Sequence, residues 1–267
     1  MNSDDDKSGA GSGAPGNAEP VAQSAAGAAN GGQPARIRRF YHQAGVAASD
    51  AGFVLQLDGR AARTPGKHPL AVPTEQLAQA IASEWAAQGS DIVPSDMPLT
   101  RIANTVIDGV IPNVAAVRAE IVKYAGSDLI CYRAESPVAL VQRQQATWDP
   151  LLAWARDHLK AGFITTDGLM PITQSDGALS AVRRTVDAIP PIAVGPVQIM
   201  TSMTGSAVLA LAVYAGRLTA DDAWFAAHID EDWQISQWGE DHEATVRREK
   251  RWQEMKAAAS FVALSRT

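Results

Sequence analysis

The sequence predicts an α+β protein in which a small β-rich N-terminal domain, with one or two helices, is followed by an all-α helical C-terminal domain. Two observations lead to this class. Short strand patterns separated by turn signals are confined to the first third of the chain. Beyond residue 114, apolar residues recur at helical spacing. The predicted organisation is a tail at 1–34, an N-terminal domain at 35–113 and a C-terminal domain at 114–267.

The tail at 1–34 consists mainly of small and polar residues and has almost no large apolar side chain. Such a segment cannot bury enough surface to offset its ordering entropy, so disorder is predicted. Gly11, Gly13 and Gly16 fit a dinucleotide-binding pattern, but no strand pattern precedes them and no helix pattern follows, which excludes that interpretation. The tail also lacks the features of a secretory signal or a mitochondrial presequence. A cytoplasmic location is therefore expected, or the mitochondrial matrix if the protein is eukaryotic.

The N-terminal domain is predicted to begin with a small antiparallel β unit. Phe53–Leu57 has a strand pattern, and Asp58-Gly59 after it is typical of a hairpin turn. Pro65-Gly66 then predicts a second turn before a short strand at Pro69–Val72.

A helix is predicted after this β unit. Thr74 is a favourable N-cap, and Leu77, Ile81 and Trp85 follow at intervals of four residues on one helical face. This spacing predicts that Trp85 is largely buried. Thr100 is expected to cap the next helix.

The C-terminal domain is predicted to be a succession of helices. Asp149-Pro150 indicates a helix start with Pro in the first turn, and Ser206 is expected to open an apolar helix. Thr219 and Asp222 resemble a capping box, which predicts a helix that continues through Trp233. The segment 190–199 fits either a strand or a helix.

Composition excludes several classes of function. The net charge of −6, without a basic stripe, argues against nucleic-acid binding. No apolar run is long enough to span a bilayer, so no membrane insertion is expected. The one cysteine, Cys131, excludes an internal disulfide, and its apolar neighbours predict a buried, inert thiol.

The segment from His228 to His242 combines five carboxylates with Trp233 and Trp238. Tryptophans among solvent-seeking acids are typical of a binding surface, although the tryptophans could instead belong to the core. A third interpretation is a hydrolase in which His228 or His242 acts as general base with a neighbouring carboxylate. A metal site is not expected, because the H-E-x-x-H spacing after His242 lacks its second histidine and no calcium-binding loop is present.

The order and spacing of several short motifs across about residues 37–264 resemble one known family, the assembly chaperone of the catalytic head of F-type ATP synthase. The motifs are Arg39-Phe40-Tyr41, Leu57–Arg60 with Thr64-Pro65, Glu84-Trp85 with Gln88, Met97–Thr100, Asp128–Arg133, Gln144 with Trp148–Pro150, Gly205-Ser206, and Asp230-Glu231 with Gln234 and Trp238-Gly239.

The resemblance implies a two-domain chaperone that holds the unassembled alpha subunit and prevents its aggregation. It implies no catalysis, no cofactor and no small-molecule substrate. The resemblance and the composition of the acidic segment together give these partner-binding candidates: Trp85, Glu231, Trp233, Trp238, Glu240 and Asp241.

Overall fold

The computed structural model describes residues 37–168 and 170–266. The predicted tail at 1–34 lies outside the described residues. Strands are concentrated before residue 93, and helices make up most of the described chain after it, so the predicted α+β class is confirmed.

A small antiparallel sheet forms the first part of the chain. Its central strand β3 (Gly52–Leu57) pairs with β2 (Ala44–Ser49) over its whole length and with the short strands β4 (Arg60–Ala61) and β5 (Ala71–Val72). Asp58-Gly59 makes the predicted hairpin turn, and both residues have positive φ angles, as this turn requires. Two further short strands, β1 (Ile37–Arg38) and β6 (Asp91–Ile92), pair antiparallel with each other.

Asp108 ties the loop between β4 and β5 to the helical part of the protein. Its carboxylate accepts hydrogen bonds from the Thr64 hydroxyl (2.6 Å) and the Gly66 backbone N–H (2.7 Å), and it lies 2.9 Å from Nδ1 of His68. A Cβ atom at Gly66 would stand 2.7 Å from this carboxylate, so the close approach requires glycine. The Thr64-Pro65 motif is therefore part of a structural clamp.

Helix α1 (Glu75–Ala86) begins at its predicted N-cap, because the Thr74 hydroxyl accepts from the Leu77 backbone N–H. Helix α2 (Pro98–Thr105) begins earlier than predicted: Thr100 lies inside it. Its N-terminal N–H groups are capped by a side chain of α1. The Glu84 carboxylate accepts from the backbone N–H groups of Leu99 (2.7 Å) and Thr100 (2.8 Å), which satisfies donors that a helix start leaves open.

Helices then follow one another to the end of the described chain. They are α3 (Val114–Gly126), α4 (Val138–Trp154), α5 (Asp176–Asp187), α6 (Pro191–Thr204), α7 (Ala207–Tyr214), α8 (Ala220–Ala227), α9 (Ile229–Trp238) and α10 (His242–Leu264). Short strands β7 (Tyr132–Arg133) and β8 (Thr166–Asp167) pair in parallel between them. The segment 190–199 is thus helical, as part of α6.

Two local predictions in this region are wrong. Pro150 lies inside α4 and not in a first turn. The helix continues past it because Trp148, Leu151 and Trp154 all bury their side chains on one face, and this packing outweighs the lost backbone hydrogen bond. The predicted helix from Thr219 to Trp233 is divided at His228, which ends α8 and precedes α9.

The buried apolar side chains of the strands and of the helices belong to one hydrophobic cluster. The domain boundary predicted after residue 113, where α3 begins, stays a prediction. Within the described residues, no helix is both long enough and apolar enough to cross a membrane.

Candidate functional site

Helices α9 and α10 form a hairpin with an open groove along one side, which we call the α9–α10 groove. Its volume is about 520 Å³. The acidic, tryptophan-containing segment singled out in the sequence supplies one wall, and the first half of α10 supplies the other. The lining residues are Trp224, Glu231, Gln234, Ile235, Trp238, Gly239, Glu240, Asp241, Ala244, Thr245, Arg248, Glu249 and Trp252.

Trp238 stands at the end of α9 with its side chain in solvent. The residue is 80% exposed, although tryptophan is usually well buried. Gly239, at φ +86°, turns the chain immediately after it, and Asp241 caps α10 by accepting from the Ala244 backbone N–H at 2.7 Å. Trp238 is thus presented at the mouth of the groove by a defined turn, as expected of a binding anchor.

The inner end of the groove is aromatic. The rings of Trp224 and Trp252 have centroids 5.3 Å apart, and His228 lies against Trp224 with a centroid distance of 3.9 Å. Ile235 and Ala244 add apolar surface nearer the mouth. A ligand in this groove would therefore meet an apolar floor.

The carboxylates of the acidic segment divide into two groups. Asp230 accepts a hydrogen bond from Gln144 at 2.6 Å, Asp232 pairs with Arg248 at 2.6 Å, and Asp241 caps α10. These three have structural roles that the sequence did not reveal. Glu231 and Glu240 line the groove and form no hydrogen bond within the described residues, which leaves them for a partner.

The two remaining predicted site residues lie outside this groove. Trp233 is half-buried and packs against the hydrophobic core. Trp85, on α1, is also partly buried and packs against the hydrophobic core, as its helical face predicted. The interpretation in which Trp233 and Trp238 both belong to the core is wrong, because Trp238 is exposed.

Trp85 borders a second groove, which we call the N-terminal groove, of about 630 Å³. Its ring centroid lies 5.5 Å from that of Tyr41, whose hydroxyl donates to the Trp85 carbonyl at 2.7 Å. The indole Nε1 of Trp85 is buried and has no hydrogen-bond partner within the described part of the chain. The other lining residues are Phe40, Leu57, Asp58, Arg60, Ala61, Ala62 and Arg63.

The two histidines of the hydrolase interpretation are not arranged as general bases. His228 is 5% exposed, and its Nδ1 lies 2.7 Å from the Trp224 carbonyl, so this nitrogen carries a proton. Burial lowers the pKa of His228, and its Nε2 is 3.8 Å from Glu231, beyond hydrogen-bond distance. His242 is exposed on the first turn of α10. Among the described residues, no three His, Cys, Asp or Glu side chains cluster closely enough to hold a metal ion.

Several motifs of the resemblance meet in a buried polar network behind the groove. Gln144 accepts from the Ala134 backbone N–H at 2.8 Å and donates to Asp230, so it joins α4 to the start of α9. Arg133 pairs with Asp149 at 2.8 Å and lies 5.1 Å from the ring centroid of Trp148. The Gln144–Asp230 hydrogen bond holds the first turn of α9 against α4. The sequence offered no signal for these contacts, because the partners are far apart in the chain.

Asp128 is a fully buried carboxylate at the N-terminus of α7. It accepts from the backbone N–H groups of Val208 (3.0 Å) and Ile130 (3.4 Å), and the Ser206 hydroxyl also hydrogen-bonds to it. Burial raises the pKa of Asp128 to about 6 despite these donors. The prediction that Cys131 is buried is confirmed, and burial raises the pKa of its thiol to about 12, which disfavours the reactive thiolate.

We expect the unfolding free energy of the Asp128→Asn variant to lack the part of its pH dependence that the titration of Asp128 contributes in the wild type. A pKa raised from 3.8 to about 6 means that the folded protein holds this proton more tightly than the unfolded chain. The resulting stabilisation is present below the unfolded pKa and is lost as the pH rises through the folded pKa, by roughly 3 kcal/mol in total. Urea unfolding from pH 3.5 to pH 7 should therefore show the wild type losing stability relative to the variant as the pH rises. An Asp50→Asn variant, altered at an exposed site, is the control, and parallel curves for wild type and Asp128→Asn would contradict the prediction.

Comparisons with known proteins point to one family and one fold. The family model described as ATP12 chaperone protein matches residues 38–156. The crystal structure of Atp12 from Paracoccus denitrificans is similar at 40% sequence identity and a TM-score of 0.83, covering 86% of this chain and 99% of that one. A single-residue variant of the same protein gives 40% identity, a TM-score of 0.83, and coverage of 86% and 98%. The Atu1473 protein of Agrobacterium tumefaciens is 44% identical with a TM-score of 0.82, over 86% of this chain and 87% of that one.

Proposed function

The chain belongs to the ATP12 chaperone family, whose role lies in ATP synthase assembly, and we propose that it binds the unassembled alpha subunit of the catalytic head and prevents its aggregation. An unassembled subunit exposes the apolar surface that will later pack against its neighbours. A chaperone that covers this surface must also release it, so a surface of moderate size with charged complementarity suits the task. We place the protein where the alpha subunit folds, in the bacterial cytoplasm or the mitochondrial matrix.

The observation that carries the proposal is the exposed Trp238 beside Glu231 and Glu240, two carboxylates that form no hydrogen bond among the described residues. Burying an aromatic side chain of this size on binding contributes a large apolar area, and tryptophan is enriched at interface hot spots. Glu231 and Glu240 would steer the approach of a basic patch and orient it. The hydrolase interpretation has no such support, because neither His228 nor His242 has a carboxylate at hydrogen-bond distance among the described residues.

The six candidate residues contribute in different ways under this proposal. Trp238, Glu231 and Glu240 contact the alpha subunit directly. Asp241 holds the turn that presents Trp238, and its side chain lines the same groove. Trp233 and Trp85 are partly buried and pack against the hydrophobic core, so under this proposal they support binding by holding their helices in place.

The test is charge reversal in the groove. The double variant Glu231→Lys with Glu240→Lys is expected to stay folded, because Glu240 is exposed and Glu231 is partly exposed in the first turn of α9, so the loss of stability should remain below about 2 kcal/mol. It should yield at most about a tenth as much soluble alpha subunit on co-expression, since attraction becomes repulsion. The defect in pull-down should shrink as the salt concentration rises, because salt screens exposed charges.

The matched control carries the same change of net charge at exposed carboxylates away from the groove, Asp50→Lys with Asp187→Lys. It should capture the alpha subunit like the wild type. If the folded groove variant also captures it normally, this surface is not the binding site. If the groove variant fails to fold, the carboxylates have structural roles, and the proposal then depends on Trp238→Ala, which removes the anchor without changing charge.

A further inference from the structure

The residues that line the α9–α10 groove form two helical stripes that face the same open space. On α9 they are Glu231, Gln234, Ile235 and Trp238, at positions i, i+3, i+4 and i+7. On α10 they are Ala244, Thr245, Arg248, Glu249 and Trp252, which again follow the spacing of one helical face. Each stripe covers about two turns, or roughly 12 Å at 1.5 Å per residue.

The interior backbone of these two walls offers no hydrogen bonds to a ligand, and open N–H and C=O groups are left to the helix ends and the turn between them. Both are α-helices, whose interior N–H and C=O groups are already paired within the helix. An extended peptide that adds to a sheet needs an open strand edge, and no strand is among the residues that line this groove. Recognition along the two helical walls therefore uses side chains, which is how a third helix packs into the space between two others.

The negative charge of the groove favours an occupant with positive charge. Five carboxylates line it or pair with a residue that does: Glu231, Asp232, Glu240, Asp241 and Glu249. Arg248 is the one cation among the lining residues, and Asp232 neutralises it at 2.6 Å. An acidic segment would be repelled, whereas lysine or arginine side chains would meet Glu231 and Glu240.

We infer that the α9–α10 groove takes a cationic amphipathic helix of its client, an inference that rests on the function proposed above. The apolar face of that helix lies on Ile235, Trp238 and Trp252. Its basic residues extend to Glu231, beside His228, and to Glu240, in the turn after Trp238. About eight residues of the client helix fit along the two stripes.

Model peptides test the chemistry of the occupant without the alpha subunit. The probes are three fluorescently labelled 14-residue peptides: leucine and lysine at amphipathic helical spacing, the same pattern with glutamate for lysine, and the first composition in strict alternation, which favours a strand. The helical basic peptide should bind the full-length wild type at least tenfold more tightly than either other probe in fluorescence anisotropy. Its affinity should fall at least tenfold for Glu231→Lys with Glu240→Lys and for Trp238→Ala, and should be unchanged for Asp50→Lys with Asp187→Lys.

Equal binding of the alternating peptide would overturn the helical occupant, and equal binding of the acidic peptide would overturn its charge. Equal binding to the groove variant and to the control variant would show that the peptide only senses the net charge of the protein, which would overturn the site.

A second experiment identifies the client segment itself. Benzoylphenylalanine in place of Gln234, in the groove, should cross-link to a basic amphipathic helix of the co-expressed alpha subunit, whereas the same group in place of Gln76, exposed on α1, should not. Cross-linking to an acidic or extended segment would overturn the inference and leave the proposed function standing. If the wild type captures no alpha subunit at all, the proposed function fails, and the peptide experiment still decides what the groove binds.

Discussion

The Trp148→Ala variant is expected to lose about 4 to 5 kcal/mol of unfolding free energy, a large part of the total stability of a typical domain. Trp148 is 1% exposed, and it is among the largest side chains buried in the structure. Its Nε1 donates to the Ala226 carbonyl at 2.8 Å, at the end of α8, so removing the indole leaves a cavity and an unpaired buried acceptor. Chemical denaturation followed by circular dichroism measures the loss.

Trp238→Ala provides the matched control for Trp148→Ala. It removes the same side chain from a site that is 80% exposed, so its effect on stability should remain below about 1 kcal/mol. The two variants should also behave oppositely in the capture experiment. Trp148→Ala loses soluble chaperone, whereas Trp238→Ala keeps the fold and loses affinity. Equal stability losses in the two variants would contradict the structural assignment of Trp148.

Local features of the fold were predictable because their physical causes lie within a few residues. Thr74 and Ser206 each accept from a backbone N–H three residues later, and Thr219 forms its capping box with Asp222. The hairpin at Asp58 likewise needs only two residues with positive φ. In each case the residues that form the cap or the turn are within three positions of each other in the sequence.

Features that depend on distant partners were not predictable. Glu84 caps α2, which begins 14 residues after it. Because this distant cap was not predictable, Thr100 was wrongly predicted to begin the helix. Gln144 meets Asp230 across 86 positions. Neither pair has a signal in the spacing of apolar residues, because polar contacts between elements depend on how the elements pack.

The candidate site was predictable in part. The acidic segment up to Asp241 was identified from its composition, and it forms one wall of the groove. The other wall was not, because Arg248 and Trp252 belong to a long helix whose sequence is typical of a solvated surface. The turn at Gly239 brings the two walls together.

Trp85→Arg is expected to reduce the amount of soluble chaperone before it affects binding. The arginine would place a cation against Tyr41 and the hydrophobic core, where the indole ring now packs. It would also stand in the groove that Arg60 and Arg63 already line, so like charges would be brought together. Burying a charge without a partner, even at a half-buried site, costs about 2 to 4 kcal/mol.

The Trp85→Phe variant separates the effect of the new positive charge in Trp85→Arg from the effect of losing the indole ring. Phenylalanine keeps an aromatic ring beside Tyr41 and removes the buried Nε1, which has no partner within the described residues. Its melting temperature should therefore stay within a few degrees of the wild type, whereas that of Trp85→Arg should fall by roughly 5 °C or more. The Trp85→Arg molecules that do fold should capture the alpha subunit as well as the wild type does, because the α9–α10 groove is unchanged. An unchanged melting temperature for Trp85→Arg, together with lost capture, would instead make Trp85 a direct contact and the N-terminal groove a second binding surface.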